Sequence, residues 1–480
     1  MNRSTQILVI GGGPAGSTAA TLLAREGFDV TLVERDVFPR YHIGESLLPS
    51  CLEILDMTGA REKVEAHGFQ RKDGGYFAWG KDSWVLNFEK LRHPYSFQVV
   101  RSEFDHLLLE HAKSQGVKVY EGTTIRSITF DGDRPRSATW SQADGADEAD
   151  AADGQNAGEI TFDYLVDASG RAGILSTHYL KNRHYHEAFQ NVALWGYWEN
   201  ADRMSFAPQG AIANGAIPDG WLWGIPLHDG TMSVGFVLHK TAFKEKRQQF
   251  ESLEQMYLNA ISECPLIADL VRPGRLVSKI AAEQDYSYMA DSVTGPGCFL
   301  IGDAACFIDP LLSTGVHLAT HSSMLCAASI ASILRGEVAE QQARMFFEQS
   351  YRLAYLRLMA IVSGLYSLYN GKESYFWQAQ VLTHHDYDDG DAINEAFLFL
   401  VSGMEDVLDA ARGPRDLDLT EITSGMTEEE TMKSVAMYNV YNKVFWRSSI
   451  SPETASDGLY VTTKPHLGLA IVEKDTGIVA

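Results

Sequence analysis

A chain of 480 residues with 45% hydrophobic and 21% charged residues has enough material for one large or two to three medium domains around a sizeable core. Its formal net charge of −23 argues against nucleic acid and against an anionic membrane as partners. Five cysteines (Cys51, Cys264, Cys298, Cys306, Cys326) are odd in number and lack paired metal spacing, which predicts a reduced, cytoplasmic protein.

The first apolar run, Gln6–Ile10, reaches three glycines too soon for a signal peptide, and no run of about 18 apolar residues predicts a membrane span. That run reads as a β-branched strand entering Gly11-Gly12-Gly13-Pro14-Ala15-Gly16. A helix over Ser17–Arg25 and a second strand over Val30–Glu34 follow. Strand, glycine turn, helix and acidic strand end form the context in which G-x-G-x-x-G predicts dinucleotide binding. Gly11 allows the tight turn. Gly13 lets backbone approach a pyrophosphate, and Gly16 lets the helix sit close to the strand. Pro14 and Ala15 belong to the fingerprint turn, and the positive end of the helix faces the phosphates. Glu34, followed by Arg35, is placed to bind ribose hydroxyls.

Gly44-Glu45-Ser46 reads locally as a loop before a helix start at Ser46 or Pro49. Lys72 and Lys81 flank an aromatic strand ending Trp79-Gly80; by itself such a lysine is a solvated surface residue. Arg101 ends the run Phe97–Arg101. Ala143–Gly158 is an acidic, low-complexity insertion of the kind that forms an exposed hairpin loop. Tyr164–Asp167 reads as a strand entering Ala168-Ser169-Gly170-Arg171. Val192–Trp198 and Met232–Phe236 read as strands of a second sheet. Trp221 and Trp223 share one face of a strand closed by Ile225 and Pro226; two such tryptophans alone would read as core.

Cys298–Ile301 is a short apolar strand that delivers Gly302-Asp303. Pro310 and Ser313-Thr314-Gly315 then open a helical pattern from about Val316 to Leu334. Asp303 can accept from a ribityl or ribose hydroxyl, and the N–H groups near Thr314 and Gly315 form an anion-friendly helix start. Beyond Arg335 the pattern predicts helices over 341–368, 373–381 and 391–400, with an aromatic stripe that includes Tyr351 and Tyr355. The stretch 412–480 carries a short apolar run near His466–Val472 and no motif that assigns it a role.

The two-point grip of an N-terminal fingerprint and a late Gly-Asp resembles the flavoprotein monooxygenases of the para-hydroxybenzoate hydroxylase fold. The Asp-x-Ser-Gly-Arg turn at 167–171 and Arg101 match the same group. Within it, Gly44-Glu45-Ser46, Lys72, the Trp-x-Trp-x-Ile-Pro run at 221–226 and Thr314, in that order, resemble the flavin-dependent halogenases. The resemblance implies an α/β fold with a Rossmann-type parallel sheet, a mixed substrate-domain sheet and a helical C-terminal region. Residues 1–75, 97–185 and 276–335 are expected to form the FAD-binding part. Residues 76–96 and 186–275 would form the substrate-domain sheet, and 336–480 the helical region.

It further implies FAD, held by the fingerprint residues and by Gly44, Glu45, Ser46, Arg101, Asp303, Pro310, Gly315 and Val316. The cofactor would arrive as FADH2 from a separate flavin reductase. With O2 and chloride or bromide, bound at Thr314 and Gly315, it would give hypohalous acid. Lys72 would relay the halogen, and Trp221, Trp223, Ile225 and Pro226 would shield the flavin from the organic substrate. Gln284–Tyr288 resembles a segment expected near the flavin. Tryptophan halogenases carry a glutamate two residues before the matching threonine, where this chain has Leu312. That departure points to phenolic, pyrrolic or carrier-protein-bound aromatic substrates; a monomer or homodimer is expected. An aromatic hydroxylase of the same fold and a non-catalytic flavin protein are the competing readings.

Overall fold

The computed structural model describes residues 3–79, 82–89, 91–142, 156–368 and 458–472. Two sheets organise them. In the first, the main strand order is Thr294–Gly295, Cys298–Leu300, Ala157–Asp167, Ser4–Ile10, Val30–Val33, Lys118–Tyr120. Ser4–Ile10 lies parallel to both of its neighbours, with Ile7 opposite Tyr164 on one side and Val30 on the other. Ile7, Leu8 and Val9 are fully buried, as expected of a parallel strand covered on both faces.

The first turn is forced by backbone crowding. Gly11 adopts φ +108°, and a Cβ there would lie 2.2 Å from the Ala168 carbonyl oxygen; one at Gly16 would lie 1.8 Å from the Gly11 oxygen. Only glycine fits either place. The helix Pro14–Arg25 therefore starts three residues earlier than its periodicity suggests, with Pro14 in its first turn. The helix Gly315–Arg335 packs on it, and Ser323 Oγ donates to the Ala15 carbonyl at 2.7 Å. By length and apolarity this long helix resembles a membrane span, but 94% of its most apolar window is buried within the protein.

The second sheet contains nine strands among the described residues, and its main order runs from Cys306–Phe307 through Ala281–Ala290, Arg183–Glu199, Thr231–His239, Gly220–Pro226, Ile212–Ile217 and Gly74–Trp79 to Asp82–Asn87. Gly74–Trp79 pairs parallel to Ile212–Ile217, which places Phe77 opposite Asn214; Trp223 lies opposite Asn214 on the other side.

The expected division of the chain shifts in three places. Ala281–Ala290 and Cys306–Phe307, expected within the FAD-binding part 276–335, belong to the second sheet. The former pairs along Arg183–Glu199, so the chain returns to the parallel sheet only after Ala290. The helix expected from Ser46 or Pro49 starts at Ser50. Within the expected helical region 336–480, Glu340–Leu368 is one helix, but Leu459–Thr462 and Gly468–Ile471 form an antiparallel ribbon. The ribbon closes on the long helix, with Leu469 N–H donating to Ser332 Oγ at 2.7 Å and Arg335 to the Leu467 carbonyl at 2.8 Å. The helices expected over 373–381 and 391–400, and Lys81, lie outside the described residues, as does most of the acidic insertion. The strands flanking that insertion pair antiparallel, Ala157 opposite Ser141. The five cysteines are free and buried.

Candidate active site

A cavity of about 760 Å³ runs along the seam between the sheets. Of the residues singled out from sequence, Gly11, Gly13, Pro14, Ala15, Glu34, Arg35, Gly44, Glu45, Ser46, Arg101, Trp221, Trp223, Ile225, Asp303, Pro310, Thr314, Gly315 and Val316 line it. Gly16 and Pro226 do not; Gly16 acts through the helix–strand contact, and Pro226 ends its strand opposite Met232.

Glu34 anchors one end. Its Oε2 accepts from Gly12 N–H at 2.6 Å and its Oε1 from Asp36 N–H at 2.8 Å, so the carboxylate is fixed by backbone before any ligand arrives. Arg101 is tied to Asp105 by two hydrogen bonds of 2.8 and 3.0 Å, and its Nη1 donates to the Ile43 and Gly44 carbonyls. Burial alone would raise the Asp105 carboxyl, but Arg101 and Arg40 outweigh it and hold the group below its usual value. Arg40 was not singled out from sequence; it reaches Asp105 at 3.1 Å and borders Gly13. Burial raises Asp303, against the pull of Arg171, Arg101 and Arg183.

Glu45 ends a hydrogen-bonded chain that sequence alone does not reveal. Trp195 donates to Tyr41 at 2.5 Å, the Tyr41 and Tyr197 hydroxyls lie 2.9 Å apart, and Tyr197 donates to Glu45 Oε1 at 2.6 Å. Burial lifts the Glu45 carboxyl to about 7, and its Oε2 is buried with no hydrogen-bond partner among the described residues.

At the opposite wall, Pro310–Leu312 makes a short helical turn and Ser313 takes φ +60°. This left-handed residue turns the chain so that Thr314 caps the helix Gly315–Arg335. The first backbone N–H groups of that helix have no intrahelical acceptors, and Thr314 Oγ1 is buried without a partner among the described residues. That combination suits an anion.

Lys72 lies elsewhere, in a second cavity of about 20 Å³ lined by Leu48, Lys72, Gly74, Gly75, Phe77, Leu86, Phe88, Ile212, Asn214, Leu311, Leu312 and Ser313. Ile212 and Ser313 line both cavities. Lys72 is 2% exposed, so it is not the solvated lysine its local sequence suggests. Its Nζ donates to Ser46 Oγ at 2.8 Å and to the Leu47 carbonyl at 2.9 Å, and it lies 5.6 Å from the centre of the Phe88 ring. Burial lowers the ammonium to about 7. No carboxylate pairs with it among the described residues.

The large cavity fits FAD on chemical grounds. Its glycine turn presents bare backbone at a helix start, its carboxylates Glu34 and Asp303 can accept from sugar hydroxyls, and tryptophans wall its apolar side.

Residues 6–94 and 89–392 match the family model described as tryptophan halogenase. A tryptophan 2-halogenase of Chondromyces crocatus is 45% identical over 97% of this chain and 94% of its own length. A flavin-dependent halogenase of Armillaria mellea is 40% identical over 87% of this chain and 80% of its own. Among solved structures, the myxobacterial chondrochloren halogenase, an FAD-dependent enzyme, superposes with a TM-score of 0.73 at 34% identity. It covers 91% of this chain and 97% of that one.

Proposed function

The chain belongs to the flavin-dependent halogenase family, and from that premise we propose that Lys72 relays halogen from the flavin cavity to an electron-rich aromatic ring. The enzyme is an FAD-dependent oxidoreductase that uses O2 and chloride or bromide. Reduced FAD, when bound, supplies the electrons that activate oxygen toward halide. A separate flavin reductase delivers it.

The chain's own residues do the rest. The Gly11–Gly16 turn, Glu34, Arg101 and Asp303 hold and orient the cofactor. The unpaired N–H groups at Gly315 and Val316, with Thr314 Oγ1, hold the halide in a dry site where its nucleophilicity is undiminished by water. Trp221, Trp223 and Ile225 keep organic substrate out of the flavin cavity. Hypohalous acid then passes the shared wall of Ile212 and Ser313 to Lys72. A lysine held near 7 is a neutral amine in much of its population at neutral pH. Its lone pair attacks the halogen; the N–halogen bond forms as the O–halogen bond breaks, and the leaving oxygen departs as water with a proton from nitrogen. The ring carbon then takes the halogen, the bond electrons return to nitrogen, and the ring loses a proton.

The observation that supports this most is a buried lysine, free of any carboxylate among the described residues, beside a small cavity that shares two wall residues with the flavin cavity. Leu312 lines that cavity where tryptophan halogenases carry glutamate. A ring that needs no carboxylate to activate it, a phenol or pyrrole, free or carrier-bound, suits this best. The relative named tryptophan 2-halogenase favours a second reading, an indole attacked in its pyrrole ring, which is equally electron-rich. The buried free thiols suit the reducing cytoplasm.

Mass spectrometry of reactions with FAD, a flavin reductase, NADH, O2 and chloride on phenol, pyrrole and indole probes tests this reading. A halogen isotope pattern that disappears in Lys72→Met is the expected result. Hydroxylated product without halogen, or halogenation undiminished in Lys72→Met, overturns it.

A further inference from the structure

Asn214 is fully buried, yet neither its amide nitrogen nor its carbonyl oxygen has a hydrogen-bond partner among the described residues. Leaving both ends of a buried amide unpaired costs about 2 kcal/mol or more, and such a group calls for an explanation. Its position suggests one. Asn214 lies on the Ile212–Ile217 strand between Phe77 and Trp223 of the adjoining strands, and it lines the same cavity as Lys72. Ile212, two residues earlier on the same face, belongs to the wall shared with the flavin cavity. Apart from Lys72 and Ser313, the cavity's other side chains are apolar.

Size limits the occupant. The cavity is half open, and its space of about 20 Å³ has room for one or two heavy atoms, so a ring that takes halogen from Lys72 has to come from the open side. Hypohalous acid has two heavy atoms, one O–H donor and an oxygen acceptor. A primary amide offers the complementary pair, an N–H donor and a carbonyl acceptor.

We propose that Asn214 is the positioning residue that receives hypohalous acid beside Lys72. Its carbonyl accepts the O–H while its N–H donates to the same small molecule's oxygen or to the water that leaves, so the halogen end faces Lys72 Nζ. The inference rests on the relay reading of Lys72. It gives the cavity a polar contact from the nine-stranded sheet, where Leu312 supplies none and Ser313 is the loop's polar residue.

The holoenzyme, supplied with a flavin reductase, NADH, O2 and chloride but no aromatic substrate, tests this with monochlorodimedone as a bulk trap for escaped oxidant. Asn214→Leu removes the unpaired amide while keeping the branched outline of the side chain. Its thermal midpoint is expected to hold or rise, because no hydrogen bond is lost. FAD affinity and flavin reoxidation should match wild type, while trapped chlorine per flavin oxidised rises several-fold. Asn214→Ser, which keeps a smaller polar group, should fall between them and covers the case in which leucine does not fold. Trapping equal to wild type in both variants, or a lowered midpoint with no change in trapping, overturns the assignment and leaves Asn214 a structural residue. Lys72→Met separates the two claims. If it traps no more than wild type, the relay reading itself fails; if it traps more while the Asn214 variants do not, only the Asn214 assignment fails.

Discussion

The two cavities of this protein are built by opposite means. The flavin cavity is large, and its wall combines bare backbone at a glycine turn and a helix start with charged side chains, of which Glu34 is already fixed by N–H groups. The lysine cavity is small and nearly all side chain, with one amine and one amide set among Phe77, Leu86, Phe88, Leu311 and Leu312. The first binds a ligand that brings most of its own chemistry. On the proposed reading the second supplies chemistry itself, and its low polarity lowers the ammonium to about 7, which would favour a nucleophilic amine.

Lys72→Met breaks the contrast most sharply. Halogenated product should fall on the order of 10³-fold, about 4 kcal/mol of barrier, while flavin reoxidation stays near wild type. Product formation measured against NADH consumption reads both. On the other side, Gly13→Val should act only on the flavin cavity. A Cβ at Gly13 meets nothing closer than Arg40 Nη2 at 3.2 Å, so the fold holds, but the branched side chain occupies the phosphate approach. FAD affinity, read by flavin fluorescence, should weaken roughly 100-fold, about 3 kcal/mol.

The acidity of Lys72 sharpens the comparison further. If the neutral amine attacks, halogenation at saturating FADH2 rises with pH through about 7 and then levels. Glu45 also titrates near 7, so the profile of Glu45→Gln must keep the Lys72 limb for the assignment to stand. Stability should follow with a matching sign. The folded lysine titrates near 7 and the unfolded one near 10.5, so the unfolded chain binds more protons between those values and stability from this group rises with pH across that window. Lys72→Met should therefore raise the thermal midpoint most below pH 7, with the gain shrinking toward pH 10. A gain that does not vary with pH would mean that Lys72 is not held as a strained cation. Ser46→Ala is the mildest change. It removes one of two hydrogen bonds to Lys72 and should lower product yield by about tenfold or less, about 1 kcal/mol.

What could be read from the sequence follows the same division. The glycine turn, Asp303 and the Thr314 cap are local, because backbone sterics tie residue type to conformation within a few positions. Lys72 could be singled out by its resemblance to a family, but its burial could not, since its neighbours Gln70 and Arg71 are polar and its enclosure comes from Ser46 and Phe88. Asn214 carried no signal at all. Its place beside Lys72 depends on a parallel pairing with Gly74–Trp79, and pairing register between strands so far apart in sequence is set by the whole sheet. The same holds for the Tyr41–Tyr197–Glu45 chain and for Arg40 against Asp105.

The hydrogen bond from Ser323 to Ala15 spans 308 positions of sequence. On the ribosome, the glycine turn and its helix emerge first, while the helix that covers them is made only after about two thirds of the chain. Until then the helix Pro14–Arg25 lacks the helix that packs on it, and the nucleotide-facing end has no opposite wall. The nascent protein thus passes through a long interval with an uncovered apolar face, and closure is among its latest and least local events. Flavin supplied during synthesis can therefore stabilise the protein only at the end of that interval, by binding the closed form and not the open one.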